Sequence, residues 1–152
     1  MNAMHKNPYP RLIIMTVFSF VAMYILMYAM VDSFSNVFSN FNQFYMAGLM
    51  AAPMVLIELF VMRGMYPNKK WNVLIATAGV IALVAFWVCI RQQAGISDKQ
   101  FLKSMIPHHG GAILMCEQSS IKDPEIKELC REILSGQRRE IDQMKAKLQE
   151  LH

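Results

Sequence analysis

Three long apolar runs dominate the first ninety positions of the chain. They are Leu12–Val31, Phe44–Met62 and Val73–Ile90. Each has about 18 to 20 residues, which is the length that an α-helix needs to cross the hydrocarbon core of a bilayer. The first run is followed by no small-residue cleavage site, so it is predicted to stay as an anchor. The pattern therefore predicts a membrane domain over residues 1–91.

Charged positions become frequent after Arg91, and the apolar positions there recur at steps of three and four, which is typical of amphipathic helices. Ser97 with Gln100 forms a capping box, and Asp123 with Pro124 marks a second helix start. We predict two helices, at about 98–120 and 124–150, in a domain over residues 97–152. The expected fold class is all-α.

The charges that flank the apolar runs predict how the chain crosses the membrane. Lys6 and Arg11 precede the first run, and Arg63, Lys69 and Lys70 lie between the second and third. The connection between the first two runs has no Lys or Arg. Because short positive loops stay in the cytoplasm, the N-terminus is expected there and the C-terminal domain is expected outside.

Aromatic residues line the predicted outer connection between the first two runs. Phe34, Phe38, Phe41 and Tyr45 share one side of a helical projection. Aromatic side chains are enriched at membrane interfaces, so we predict interfacial anchoring for this group.

The unusual feature of the composition is its high content of methionine. The 152 residues carry a net charge of +4 and include 14 Met but only 3 Cys. No basic stripe with interleaved aromatics is present, which argues against nucleic-acid binding. Three cysteines are too few for a disulfide framework. Thioethers fill gaps in cores, and they also bind Cu(I).

The methionines of the first two runs fall at matching depths if those runs form an antiparallel hairpin. The matched pairs are Met23 with Met54, Met27 with Met50, and Met30 with Met46. Glu58 lies at the inner end of this series. One interpretation is a transmembrane path for Cu(I), and the other is ordinary methionine packing between membrane helices.

A second group of sulfur and imidazole side chains lies in the C-terminal domain. A turn near Lys122 and Asp123 would pair Cys116 with Cys130 and His109 with Gln137. The same register pairs Met105 with Ile141, one position from Glu140. Soft thioether and thiolate ligands favour Cu(I) or Ag(I), and Gln137 or Glu140 could accept the second imidazole N–H. The candidate ligands are Met105, His108, His109, Met115, Cys116, Cys130 and Met144.

Simpler interpretations of the same residues stay open. One histidine could be solvated while the other bonds to the backbone, and the two cysteines could be core residues or a disulfide. Pro107 and Gly110–Gly111 are expected to leave room beside the His pair, at a cost to helix stability.

The segment Met105-Ile106-Pro107-His108-His109, with Ala112 and Met115 after it, is followed at a distance by Gln137-Arg138-Arg139-Glu140-Ile141-Asp142-Gln143-Met144. This combination resembles the family catalogued as domain of unknown function 305, over about Ser97 to Leu148. The resemblance implies a ferritin-like helical bundle in the cell envelope and, for some members, copper or silver binding. By matching position, the implied ligands are Met105, His108, His109, Met115 and Met144.

Longer members of that family hold two such helical pairs, whereas this chain holds one. A lone hairpin of this size buries too little core to be stable alone. We therefore expect a homodimer or higher homo-oligomer that completes a four-helix bundle.

These observations predict an extracytoplasmic, periplasmic copper- or silver-binding domain anchored in the inner membrane, which serves metal tolerance or delivery. The alternatives are a Cu(I) transport component and a metal-free structural or assembly subunit. No nucleophile–base arrangement or phosphate loop is visible, and the Glu-x-x-His motif of di-iron bundles is missing. A non-enzyme is therefore expected.

Overall fold

Helices make up all the regular structure in the part of the chain that the structure describes. The computed structural model describes residues 7–151 and has five α-helices and three short 3-10 helices, with no strand in that range. The α-helices are α1 (Tyr9–Leu26), α2 (Phe41–Val61), α3 (Lys69–Gln92), α4 (Asp98–Gln118) and α5 (Pro124–Glu150). The 3-10 helices are Met27–Met30, Phe34–Asn36 and Arg63–Met65. The all-α prediction is confirmed.

Three helices are long and apolar enough to cross a membrane. They are Tyr9–Met30, Phe41–Val61 and Lys69–Gln92, with mean hydropathies of 2.2, 1.9 and 2.7. The first of them is α1 extended by the following 3-10 helix. The prediction of three membrane-length helices is confirmed.

Local signals in the sequence set the ends of α3. The Asn68 side chain accepts hydrogen bonds from the backbone N–H groups of Lys70 and Trp71, at 3.0 and 3.2 Å, and so caps the helix start. At the other end, Gln93 adopts a left-handed conformation with φ of 50°. Its backbone N–H bonds back to the last turn of α3, and this arrangement ends the helix.

The chain divides into two compact units. The membrane unit holds the described residues up to Leu26 together with Phe44–Ala94, and the C-terminal unit holds Met27–Gln43 together with the described residues from Gly95 onward. The connection between α1 and α2 therefore belongs to the same unit as α4 and α5.

Small residues let the helices of the membrane unit approach closely. A Cβ atom added to Gly48 would overlap the Phe86 ring, and one added to Gly79 would lie 3.0 Å from Leu56. Close approach through glycine is a usual way to pack helices in a bilayer. The buried residues of α2 are Ala47, Gly48, Ala51, Ala52, Val55 and Leu59.

The core of the C-terminal unit lies between α4 and α5. Ile106, Ile113, Ile141 and Leu148 are buried there, and Phe38 from the connecting segment packs against them. Interfacial anchoring was the sequence-based interpretation of Phe38, and it is wrong for this residue because its ring contributes to the core of a folded unit. The helical pair thus obtains part of its core from Met27–Gln43.

Candidate metal centre

His109 is the buried polar residue at the centre of the α4–α5 seam. Only 8% of its surface is exposed. Its Nδ1 lies 2.9 Å from the Met105 carbonyl oxygen, and its Nε2 lies 2.7 Å from Glu140 Oε2. A carbonyl oxygen only accepts hydrogen bonds, so Nδ1 donates to Met105. The second contact joins His109 of α4 to Glu140 of α5.

Glu140 is the more exposed partner in that pair. Its side chain is 49% exposed, compared with 10% for the His109 side chain. The contact therefore links a buried ring to a half-exposed carboxylate at the edge of the seam. Gln137 and Glu140 were predicted as alternative hydrogen-bond partners of the imidazole, and Glu140 is the one that contacts His109 Nε2.

His108, the other histidine of the adjacent pair, lies on a different side of α4 from His109. His108 is exposed, and its ring centroid is 6.2 Å from that of His109. Met115 lies seven positions beyond His108, about two turns along the same side, and is 53% exposed. His108 and Met115 therefore share an outward surface.

The two other predicted thioether ligands, Met105 and Met144, are less exposed than Met115. Met105 and Met144 are both half-buried, and Met144 packs against the core around Ile141. Within residues 7–151, no three side chains of the His, Cys, Asp or Glu types gather as a metal-binding group. The sites that sequence analysis proposed are thus divided between the seam and the outer side of α4.

The two cysteines of the C-terminal unit form a disulfide. Cys116 and Cys130 have Cα atoms 5.4 Å apart, within the usual range for such a bond. Their pairing matches the predicted register of the hairpin. A disulfide sulfur is not a thiolate, so neither cysteine can act as a thiolate ligand in this oxidised form. The prediction of Cys116 as a ligand applies only to the reduced protein.

The glycine pair of α4 accommodates a loop. A Cβ atom on Gly110 would overlap Asp32 Oδ1 and lie 3.1 Å from Val31 Cγ1, and one on Gly111 would lie 3.4 Å from the Met30 carbonyl oxygen. The space that was predicted to serve the His pair is occupied at Gly110 by Val31 and Asp32.

Asp32 was not identified from the sequence. Its Oδ1 accepts a hydrogen bond of 2.7 Å from Asn36 Nδ2, and Asn36 is buried. This hydrogen bond lies within the connecting segment and fixes the Asp32 side chain, which lies against Gly110, the residue that follows His109. An isolated Asp in a polar loop gave no signal for that position, because the loop's docking site is distant in sequence.

The proposed transmembrane path lies outside the seam. Met46, Met50 and Met54 follow one another at four-residue intervals along α2 and are 40%, 44% and 39% exposed. Met23 and Met27 are half-buried, and Met30 is exposed. The three α2 thioethers therefore contribute little to the buried face of that helix, which consists mainly of small residues.

Comparisons with known proteins identify the family. The family described as Domain of unknown function (DUF305) matches residues 61–148. A protein described as Uncharacterized protein L153, from Acanthamoeba polyphaga mimivirus, is 36% identical over 142 residues, which cover 91% of each chain. No solved structure matches this chain significantly. The chain belongs to the DUF305 family.

Proposed function

We propose that this protein is a membrane-anchored binding protein for Cu(I) or Ag(I), with its binding site on the α4–α5 hairpin. The observation that carries the proposal is His109. Its Nδ1 lies 2.9 Å from a backbone carbonyl oxygen, its Nε2 contacts Glu140 of α5, and Met105 and Met144 on the same two helices are half-buried. A hydrogen bond from Nδ1–H to a carbonyl is a common way to present Nε2 to a metal.

The donor chemistry fits a soft cation. Imidazole and thioether groups suit Cu(I) and Ag(I), whereas hard cations favour sets of oxygen ligands. Met105, His109 and Met144 would supply the seam ligands, and His108 and Met115 would supply an outer pair. Because Glu140 contacts Nε2, metal binding at His109 requires that Glu140 moves aside and that the Nε2 lone pair faces the metal.

The grouping of chain segments supports an extracytoplasmic location for this hairpin. Met27–Gln43 connects the first two membrane helices and belongs to the same compact unit as α4 and α5. In a chain with three spans, that connection and the segment after the third span lie on the same side of the membrane. The positive flanks put the opposite side in the cytoplasm, so the hairpin would face the periplasm from an inner membrane.

Exposed apolar residues on the hairpin support self-association. Phe101 and Met115 on α4 are 51% and 53% exposed, and Ile126 and Leu129 on α5 are similarly open. A second copy would cover these residues and complete a four-helix bundle.

Metal tolerance and metal delivery both require a site that takes up a soft ion and releases it. A half-exposed Glu140 side chain suits that exchange.

Competition with a chromogenic Cu(I) chelator tests the binding proposal. The full chain in detergent would be titrated as wild type and as His109→Asn, Met105→Leu and Met144→Leu variants. Each variant removes one soft donor while roughly keeping side-chain volume, so each is expected to weaken Cu(I) binding about tenfold or more. Met65→Leu, in the 3-10 helix between α2 and α3, is the matched control and should bind as the wild type does.

Two outcomes would contradict the proposal. One is a wild-type affinity no greater than that of the three ligand variants. The other is equal weakening by Met65→Leu, which would indicate a general effect of methionine loss. Failure of the wild type to bind would favour the metal-free structural subunit, for which His109 and Glu140 are simply an interhelical ion pair.

Transport is a second candidate, supported by the exposed thioethers of α2. Met46, Met50 and Met54 form a continuous stripe that the membrane unit leaves uncovered. Between copies of the chain, such stripes would offer Cu(I) a series of soft ligands. Met50→Leu with Met54→Leu should then abolish Cu(I) flux in proteoliposomes and leave chelator competition unchanged. Unaltered flux would remove this candidate.

A further inference from the structure

A cavity of about 870 Å³ opens at the end of the membrane unit where α1 begins, α2 ends and α3 begins. This volume is in the range of small-molecule sites. Its wall includes both Arg11 and Glu58. Arg11 is the sole charged residue of α1, and Glu58 is the sole charged residue of α2. Two apolar helices thus place their charges in one cavity.

The two charges do not neutralise each other. Arg11 and Glu58, both within the described chain, form no ion pair with one another. Tyr66 donates a hydrogen bond of 3.1 Å to Glu58 Oε1, which leaves the carboxylate with further acceptor capacity. Arg11 is exposed. The cavity therefore offers a ligand one guanidinium and one carboxylate at separate points.

Three aromatic rings form part of the wall of this cavity. Tyr9 lies 5.5 Å from Tyr66 and 6.3 Å from Trp71, measured between ring centroids. The Tyr9 hydroxyl is fixed by a 2.8 Å hydrogen bond to Asn72 Oδ1. Ring faces held together in this way attract an organic cation. They also suit the interfacial depth at which Tyr and Trp are enriched.

An apolar groove of about 490 Å³ adjoins the cavity along the helices. The two spaces share Tyr9, Leu12, Ile13 and Trp71 as common wall. The groove continues past Val55 and Ala78. A cavity that carries both charges, joined to an apolar groove, fits an amphiphile with a zwitterionic head and a hydrocarbon tail.

We propose that this cavity and groove form a binding site for a zwitterionic phospholipid with a primary ammonium head group. The ammonium group donates to Glu58 and lies against the aromatic rings, while the phosphate contacts Arg11. An acyl chain lies in the adjoining groove. A membrane provides such a ligand at the depth of these helix ends, since charged heads lie at the ends of membrane-spanning segments.

Native mass spectrometry of the full chain tests the site. The detergent-solubilised protein would be offered equal amounts of dihexanoyl-phosphatidylethanolamine, dihexanoyl-phosphatidylglycerol and glycerophosphoethanolamine, which differ in mass. The ethanolamine lipid should form about tenfold more complex than the glycerol lipid, which lacks the ammonium group. The free head group should bind at least tenfold less than its lipid, because it has no chain for the groove.

Charge variants test the ammonium-binding residue, Glu58, and the phosphate-binding residue, Arg11, separately. Glu58→Gln keeps an acceptor for Tyr66, and it should reduce ethanolamine lipid binding to the level of the glycerol lipid. Arg11→Gln should weaken both lipids together. Arg63→Gln removes a positive charge from the same end of the unit without touching either cavity, so it should match the wild type.

Three results would overturn the proposal. Equal binding of the two lipids by the wild type would show that no ammonium site exists. Equal effects of Glu58→Gln and Arg63→Gln would show that only net charge matters. If glycerophosphoethanolamine, which has no acyl chain, bound as tightly as the lipid, the ligand would be a soluble head group and the groove would have no role in binding. Far-UV circular dichroism of each variant, compared with the wild type, establishes that the helices are intact.

Discussion

Replacement of Gly110 by Ala tests how the connecting segment is held against the helical hairpin. Glycine in the interior of an exposed helix costs about 1 kcal/mol relative to alanine, so a Gly→Ala change normally stabilises a helix. At Gly110 the new Cβ would overlap Asp32 Oδ1 and press on Val31. Gly136 in α5 has no atom within 4 Å of an added Cβ, so Gly136→Ala is the matched control.

The structure sets the size of the effect at Gly110. Displacing Asp32 breaks its hydrogen bond to buried Asn36, which costs about 1.5 kcal/mol. Crowding against Val31 adds roughly another 1.5 kcal/mol, a usual value for overpacking. After subtraction of the gain in helix propensity, about 2 kcal/mol of destabilisation is expected. Gly136→Ala should instead stabilise by about 1 kcal/mol.

Amide hydrogen exchange measured by mass spectrometry resolves the two effects by region. A loss of about 2 kcal/mol in docking should raise exchange in Met27–Gln43 roughly 30-fold in Gly110→Ala, because local opening controls exchange there. Gly136→Ala should leave that segment unchanged and slow exchange in α5. If Gly110→Ala leaves Met27–Gln43 as protected as in the wild type, the segment is not held by contact with α4.

Three further predictions concern stability. Cys116→Ser with Cys130→Ser should lower the free energy of unfolding, measured by chemical denaturation, by about 3 kcal/mol, because the lost bond joins residues 14 positions apart. Wild-type protein in reductant should unfold as this variant does. Asp123→Ala removes the cap of α5 and should cost about 1 kcal/mol by the same assay, whereas Asp123→Asn should cost less. Burial, and then the hydrogen bond to Glu58, raise the pKa of Tyr66 above 10.0. The stability that this group adds is therefore present below pH 10 and is lost as pH rises through the folded-state pKa. Ultraviolet titration of Tyr66→Phe should lack one tyrosine ionisation above pH 10 that the wild type shows.

The register of the hairpin could be predicted because it depends on local signals. Asp123 with Pro124 fixes where α5 begins, and a short turn then determines which residues face each other across the seam. The sequence accordingly paired Cys116 with Cys130, and this contact is present. It paired His109 with Gln137, whereas the contact is made by Glu140, which was named only as an alternative acceptor. Helical periodicity and apolar length likewise identified the membrane helices, because those patterns arise within single segments.

Contacts between distant segments could not be predicted in the same way. Phe38 and Asp32 lie in a polar, aromatic connection whose composition also suits a membrane interface. Their partners in α4 are more than sixty positions away, and no periodicity relates the two segments. Gly110 illustrates the difference: the sequence indicated that space was needed beside His109, but only the structure shows that a loop occupies it.

The contacts of the hairpin have a consequence for how it would bind a metal. Small metal-dependent domains fold on the ion because their cores are too small without it. Here the disulfide closes the turn end, an Arg138–Glu117 ion pair lies farther along, and Phe38 enlarges the core. These contacts hold α4 and α5 together without an ion, and the His109 contact with Glu140 adds to them. A soft metal would therefore bind a preformed hairpin and compete with one interhelical contact, which allows release without unfolding.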